Sequence, residues 1–226
     1  MNGAVSPIVD LSGRPLGQRA LKKRRQLMDA AADLLKKHTL RDLRVVDIAR
    51  AVGTSPATFY QYFKDVEDVV LQLAEEATAK MPSLTKMFDG DWEGDAGLEK
   101  AREVVDAFIR YWDEHGAVLR VRNVAADEGD VRFLAMRSQG TTPLLNAITK
   151  KMEVRQKTLK PLAAAVAMGA ILDRLSAYRK ELESLGLSRE DIVETSAQIL
   201  HKTLSLEKNS PCITHHHKNP FAYSQQ

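Results

Sequence analysis

Apolar residues recur along this chain at helical spacing. Leu27, Ala30, Ala31, Leu34 and Leu35 form the stripe of an amphipathic helix that ends near His38. After a short connector, Val45, Ile48, Ala49 and Val52 mark a second helix that stops at Gly53, a residue able to take a left-handed cap. Ser55 suits an N-cap and Pro56 the first helical position, so a third helix begins there and runs to about Phe63, with Phe59 and Phe63 inward. Asp65 caps a longer helix through Val69, Val70, Leu73 and Ala77, closed by Pro82. The stretch 89–97 reads as loop, and further helices are expected near 98–114, 117–127, 130–139, 142–158, 161–184 and 189–206. Pro143 and Pro161 fall at expected first turns, and the "SRED" from Ser188 resembles a capping box.

The fold class expected is all-α: a three-helix head over residues 19–65 on a larger helical body over 66–206. A flexible basic arm, residues 1–18, precedes the head, and an unpatterned tail, 207–226, follows the body. Composition agrees, with 6% aromatics, 12 glycines and 8 prolines in 226 residues. The net charge of +3 conceals an asymmetry: residues 14–64 hold twelve Lys or Arg against four Asp or Glu, leaving the remainder net acidic. A basic head on an acidic body points to a polyanionic partner. No apolar run is long enough to span a bilayer, and no signal-peptide core opens the chain, so a cytoplasmic protein is expected.

Two short helices joined by "GTS" cannot bury their apolar faces alone and must pack on the helix of residues 19–38. That is helix-turn-helix logic, with the outer face of residues 55–62 free to enter a major groove. Thr58 and Gln61 can reach base edges, and Ser55, Tyr60 and Lys64 can hold phosphates. Pro56, Ala57 and Tyr62 share this surface, while Lys22, Lys23, Arg24 and Arg25 add positive charge from the first helix.

The segment "RRQLMDAAADLLKKHTLRDLRVVDIARAVGTSPATFYQYFKDVEDVVLQL" resembles the DNA-binding domain of the tetracycline-repressor family of bacterial transcription regulators. Ile48, Ala49, Ala51, Gly53, Ser55, Thr58, Phe59, Tyr60, Tyr62 and Phe63 carry the resemblance. Two positions depart from the family pattern. Arg44 stands where a phosphate-contacting Thr is usual, and Val66 where a Lys is usual, so Arg44 and Lys64 are the expected phosphate contacts. The "GRP" around Arg14 also resembles the core of an AT-hook, leaving two readings of the arm: minor-groove insertion or general phosphate attraction.

What the resemblance implies for the body is an effector pocket and a homodimer made by the helices near 161–184 and 189–206. Leu172, Leu175, Leu182, Ile192, Ile199 and Leu200 are the apolar contacts expected there. Phe88, Trp92, Phe108, Tyr111, Trp112, Leu119, Phe133, Met136, Leu144, Leu145 and Met152 are pocket candidates, with Asn123, Tyr111 or Arg122 as polar anchors. The implied function is a dimeric regulator, a repressor, on a palindromic duplex operator. A small apolar effector of lipid-like character releases it, and no cofactor is implied. When bound to DNA it would sit in the bacterial nucleoid. An architectural DNA-binding protein using the arm in the minor groove is the alternative. Catalysis finds no support: no HExxH, GxSxG or GxxxxGK[ST] spacing occurs, and His38, His115 and His201 are scattered. Cys212 with His215, His216 and His217 offers metal-ligand chemistry in the tail, but no metal site is assigned.

Overall fold

A computed structural model describes residues 8–155 and 159–205. Among the described residues there are nine helices and no strand: α1 (Gln18–Leu35), α2 (Val45–Ala51), α3 (Pro56–Phe59), α4 (Val66–Thr78), α5 (Met81–Lys86), α6 (Gly94–Asp127), α7 (Val131–Arg155), α8 (Pro161–Ser184) and α9 (Arg189–Leu204). The tail cluster of Cys212 and His215–His217 lies outside the described residues. No helix of the described residues is long and apolar enough to cross a membrane.

Two apolar clusters organise the molecule. The first joins Leu27, Met28 and Ala31 of α1 with Ile48, Phe59 and Phe63, and with Val69, Val70 and Leu73 of α4. It also takes in Val118 and Ala126 of α6 and Phe133 and Met136 of α7, so the far end of the body packs under the head. The second cluster fills the body between α5, α6, α7, α8 and α9. The α4 helix belongs to both, through Val69, Val70 and Leu73 on the head side and Ala77 on the body side.

Several elements differ from the sequence expectation. The stretch 98–127, read as two helices, is one 34-residue helix that begins earlier, at Gly94. Gly116, which falls between the two expected helices, is buried inside it, with the Trp112 ring and the Arg120 side chain each 3.4 Å from where a Cβ would stand. Its small size serves packing. Likewise the helices expected at 130–139 and 142–158 merge into α7 as far as Arg155, with Pro143 inside it, and residues 156–158 lie outside the described residues. Pro143 and Gln139, the residue whose carbonyl loses its N–H partner, both face solvent, where water can substitute. Pro82, expected to end α4, opens the short helix α5 instead. The recognition helix is shorter than expected, its residues 60–62 continuing as hydrogen-bonded turn. The capping box at Ser188 and Asp191 forms as read.

The described part of the arm, from residue 8 on, forms a local turn. Residues 8–16 close on themselves: Leu16 N–H donates to Ile8 C=O, and Asp10 Oδ1 accepts from the backbone N–H groups of Ser12 and Arg14. The "GRP" is therefore held in a tight turn with Arg14 paired to Asp10.

Candidate nucleic-acid interface and interior cavity

The turn between α2 and α3 is built from local chemistry. Gly53 has φ +64, and its left-handed conformation lets Thr54 N–H reach Ala49 C=O at 2.9 Å. Ser55 then caps α3, its Oγ accepting from Thr58 N–H at 3.3 Å, with Pro56 at the first position. Phe59 and Phe63 are fully buried, their rings 5.3 Å apart, and Ile48 and Ala49 are buried with them. Burial of that face turns the other outward. Arg44, Ser55, Pro56, Ala57, Tyr60, Gln61 and Lys64 are exposed, and Thr58 is half-buried, its hydroxyl 3.2 Å from that of Ser55. Tyr60, 52% exposed, stands edge-on to Phe59.

The expected cations divide into two groups. Arg44, Lys64, Lys22 and Lys23 form no ion pair with the described residues, and so remain available to phosphates. Arg24 points inward. Its guanidinium donates to Gln72 Oε1 of α4, lies 3.2 Å from Met28 Sδ and sits 5.3 Å from the Phe63 ring centre. The reason is helical phase: residue 24 shares the face of Leu27, Met28 and Ala31, which are all buried. Arg25 is exposed but bridged to Asp29 and Glu76, both at 2.6 Å. Tyr62, placed with the DNA-facing residues by sequence, is half-buried against the head cluster. Arg14 is exposed in the arm turn.

In the body, a cavity of about 900 Å³ opens between α6, α7 and α8. Of the expected pocket residues, Phe108, Tyr111, Trp112, Asn123, Leu144, Leu145 and the anchor Arg122 line it. Phe88, Trp92, Leu119, Phe133, Met136 and Met152 do not; they are core. Phe88 and Trp92 stack at 5.7 Å, and the indole N–H donates to Phe88 C=O, closing the loop before α6. Phe133 and Met136 face the head cluster. Apolar period alone cannot separate a cavity wall from a core wall, because both are inward faces. Residues missed by sequence include Asp127, Arg137, Thr141, Val166, Gly169, Ala170, Asp173 and Arg174. The last five mark the face of α8 that opens the cavity to solvent. The small residues of "PLAAAVAMGAIL" were the available signal.

The cavity's polar pole is unusual. Arg122 is 6% exposed, and Tyr111, at 8%, turns its hydroxyl toward the Arg122 guanidinium without well-formed hydrogen-bond geometry to any described residue. Burial pushes the Arg122 guanidinium down and the Tyr111 phenol up from their ordinary ranges. Asp173 faces the opening, yet protein crowds its carboxylate enough to raise its pKa, with Arg122 pulling the other way.

On the surface expected to dimerise, Leu172, Ile192 and Leu200 prove to be core within the protomer, and Leu175 and Leu182 are half-buried. The exposed apolar side chains are instead Leu162, Val166 and Tyr178 of α8 and Ile199 of α9, with Ala163, Ala167 and Ala170 between them. These residues recur on one side of α8 at spacings of three and four.

Comparisons with known proteins agree with this geometry. Residues 27–88 match the family described as bacterial regulatory proteins, tetR family, and residues 83–210 match the tetracyclin repressor-like C-terminal domain. An uncharacterized HTH-type transcriptional regulator of Haemophilus influenzae is 30% identical over 109 residues, covering 46% of this chain and 52% of that protein. The chain thus spans about half the length of that relative. Among solved structures, the fatty acid degradation regulator FadR from Bacillus halodurans superposes with TM-score 0.62 at 19% identity, covering 83% of this chain and 96% of its own. The transcriptional regulator FadR from Bacillus subtilis, in complex with stearoyl-CoA, superposes with TM-score 0.60 at 16% identity over 80% of this chain and 97% of its own. These likenesses are in fold. The two family matches together span both the helix-turn-helix head and the helical body, and the chain belongs to the tetracycline-repressor family of DNA-binding transcription regulators.

Proposed function

We propose that this chain is a dimeric, ligand-responsive repressor. Two copies of α3 read a palindromic operator, with Thr58 and Gln61 on bases and Arg44, Ser55, Tyr60 and Lys64 on phosphates. The exposed apolar side of α8, with Ile199 of α9, is the surface that pairs the copies. A small, largely apolar effector fills the α6–α7–α8 cavity and releases the DNA. The FadR relative solved with stearoyl-CoA supports a lipid-like effector by analogy.

One observation carries the coupling: the segment that lines the cavity also supports the head. Arg122, Asn123 and Asp127 of α6 and Arg137 and Thr141 of α7 face the cavity. Between them, Ala126, Phe133 and Met136 pack into the head cluster. Glu128 pairs with Arg41 at 2.6 Å, and Arg132 with Glu67 at 2.7 Å, across the joint. An effector that favours one arrangement of this corner weakens DNA binding by the same factor with which DNA weakens effector binding. Such couplings amount to about 1–3 kcal/mol.

The test is selection of bound sites from a random duplex library, followed by effector titration on the selected site. A palindrome with half-site centres about 10 base pairs apart is expected. Enriched A·T runs without symmetry would favour the architectural reading instead. An effector that binds the protein and leaves operator affinity unchanged would remove the regulatory mechanism.

A further inference from the structure

Three buried residues of the described chain are polar or charged, and Arg122 alone of them carries a charge. Its guanidinium has five N–H donors. Nε and Nη2 both reach one neutral acceptor, Asn123 Oδ1, at 3.2 and 3.0 Å. No carboxylate of the described residues forms an ion pair with it. Asp127 is taken by Arg137 at 2.6 Å, and Asp173 acts on Arg122 as a more distant charge. An ionised group this buried is costly unless something pairs with it. Beside it, the Tyr111 oxygen faces the Arg122 guanidinium, which can only donate, so the phenol O–H is left to donate elsewhere, and both groups line the cavity. Phe108, Trp112 and Leu144 supply apolar wall.

We propose that the cavity takes an amphipathic monoanion, an aliphatic carboxylate whose head group docks on Arg122 and Tyr111 while its tail lies along Phe108, Trp112 and Leu144. The inference rests on reading the cavity as the effector site. The guanidinium fork matches a planar carboxylate in two parallel hydrogen bonds, and the Tyr111 O–H donates a third. A single charge suits the site because Arg137 is neutralised by Asp127, Arg174 lies at the exposed opening with its guanidinium on Tyr178, and Asp173 there would repel a second negative charge. A phosphate dianion fits this balance poorly. The volume lies within the range of small-molecule sites and leaves room for a chain of a dozen carbons.

The full chain is titrated calorimetrically with laurate, dodecanol and dodecyltrimethylammonium, all below their micellar concentrations, and each is tested for its effect on operator binding. Laurate is expected to bind at least about tenfold tighter than dodecanol, the order of a charge-assisted hydrogen-bonded contact. Arg122→Gln should abolish that preference while dodecanol still binds, and Tyr111→Phe should reduce it. Arg122→Met should melt no lower than the wild type, since it removes a buried charge without a counter-ion; a clear fall in melting temperature would make Arg122 a structural residue and overturn the proposal. Equal affinity for laurate and dodecanol would overturn it too, while leaving an effector cavity intact. Preference for the ammonium probe would overturn it in favour of Asp173 as anchor. A laurate preference that leaves operator affinity unchanged would uphold the anion site and remove the regulatory reading. Failure of every probe to bind would remove both.

Discussion

Arg24 gives the sharpest separation of the head's two kinds of cation. Replacing it by Met keeps the stem that packs on α1 and removes the guanidinium. Two contacts are lost: the charged hydrogen bond to Gln72, worth about 1.5 kcal/mol in a half-buried setting, and the cation–π contact with Phe63, worth about 0.5–1 kcal/mol. The sum is roughly 2 kcal/mol, which for a chain of this size lowers Tm by about 4–8 °C. Because Arg24 faces Phe63 and Gln72, it cannot also sit on a phosphate without leaving them. The slope of log affinity against log salt should therefore stay within error of the wild type in Arg24→Met. In Lys64→Ala, by contrast, the slope should shrink by about 0.9, the value for one phosphate contact, with Tm unchanged. Thermal melting by circular dichroism and fluorescence anisotropy on the selected operator at several salt concentrations decide between them. A reduced salt slope in Arg24→Met with no loss of Tm would refute the inward assignment.

Further outcomes follow from other positions. Gly97→Ala, which by helix propensity alone would stabilise, should lower stability by about 2 kcal/mol or more, because the new Cβ would overlap the Trp92 carbonyl and lie 2.9 Å from Trp92 Cα; urea melts read the sign. Gln61→Ala should weaken operator binding by about 1–3 kcal/mol and broaden the selected sequences at one base, which repeat site selection would show. Glu128→Gln with Glu67→Gln removes the two exposed ion pairs that tie the α6–α7 corner to the head while leaving Arg132 on Asp130. Each such pair is worth under about 1 kcal/mol, so Tm should hardly move, while the effector-induced loss of DNA affinity should fall; an unchanged loss in gel-shift titrations would exclude these pairs from the coupling. Asp130 is held down to about 2 by its hydrogen bonds with Arg132, against an ordinary value of 3.8. A depressed folded-state pKa contributes stability above the unfolded value, so this contribution is complete above pH 3.8 and disappears as pH falls toward 2. Denaturation profiles of Asp130→Asn should be flatter than wild type over that window.

Much of the head was legible because its signals are local. Gly53, Ser55 and Pro56 act within one turn of their own backbone, and the phase of Phe59 and Phe63 names the buried face whatever lies opposite. The same phase argument, applied to residue 24 against Leu27, Met28 and Ala31, contains the inward turn of Arg24, but charge drew the sequence reading outward. In the body the signals are non-local. Gly116 and Pro143 are helix breakers by propensity, yet α6 and α7 run through them, because packing stabilises a long helix by more than one glycine or one missing hydrogen bond costs. Leu172 and Leu200 face inward as their spacing requires, but whether inward means protomer core or partner depends on what α6 and α7 present to them.

The cavity shows the limit most clearly. Tyr111 and Trp112 line it while Phe88, Trp92 and Met152, of the same chemical kind, fill core. The amino-acid sequence by itself determined an all-helical chain with a basic helix-turn-helix head, since periodicity, capping and charge are properties of neighbouring residues. Only the tertiary structure decided which inward residues meet others and which meet a void, and that a buried Arg122 stands there with no carboxylate of the described residues in ion-pair contact. Those are facts about what lies across the gap, set by helices distant in sequence.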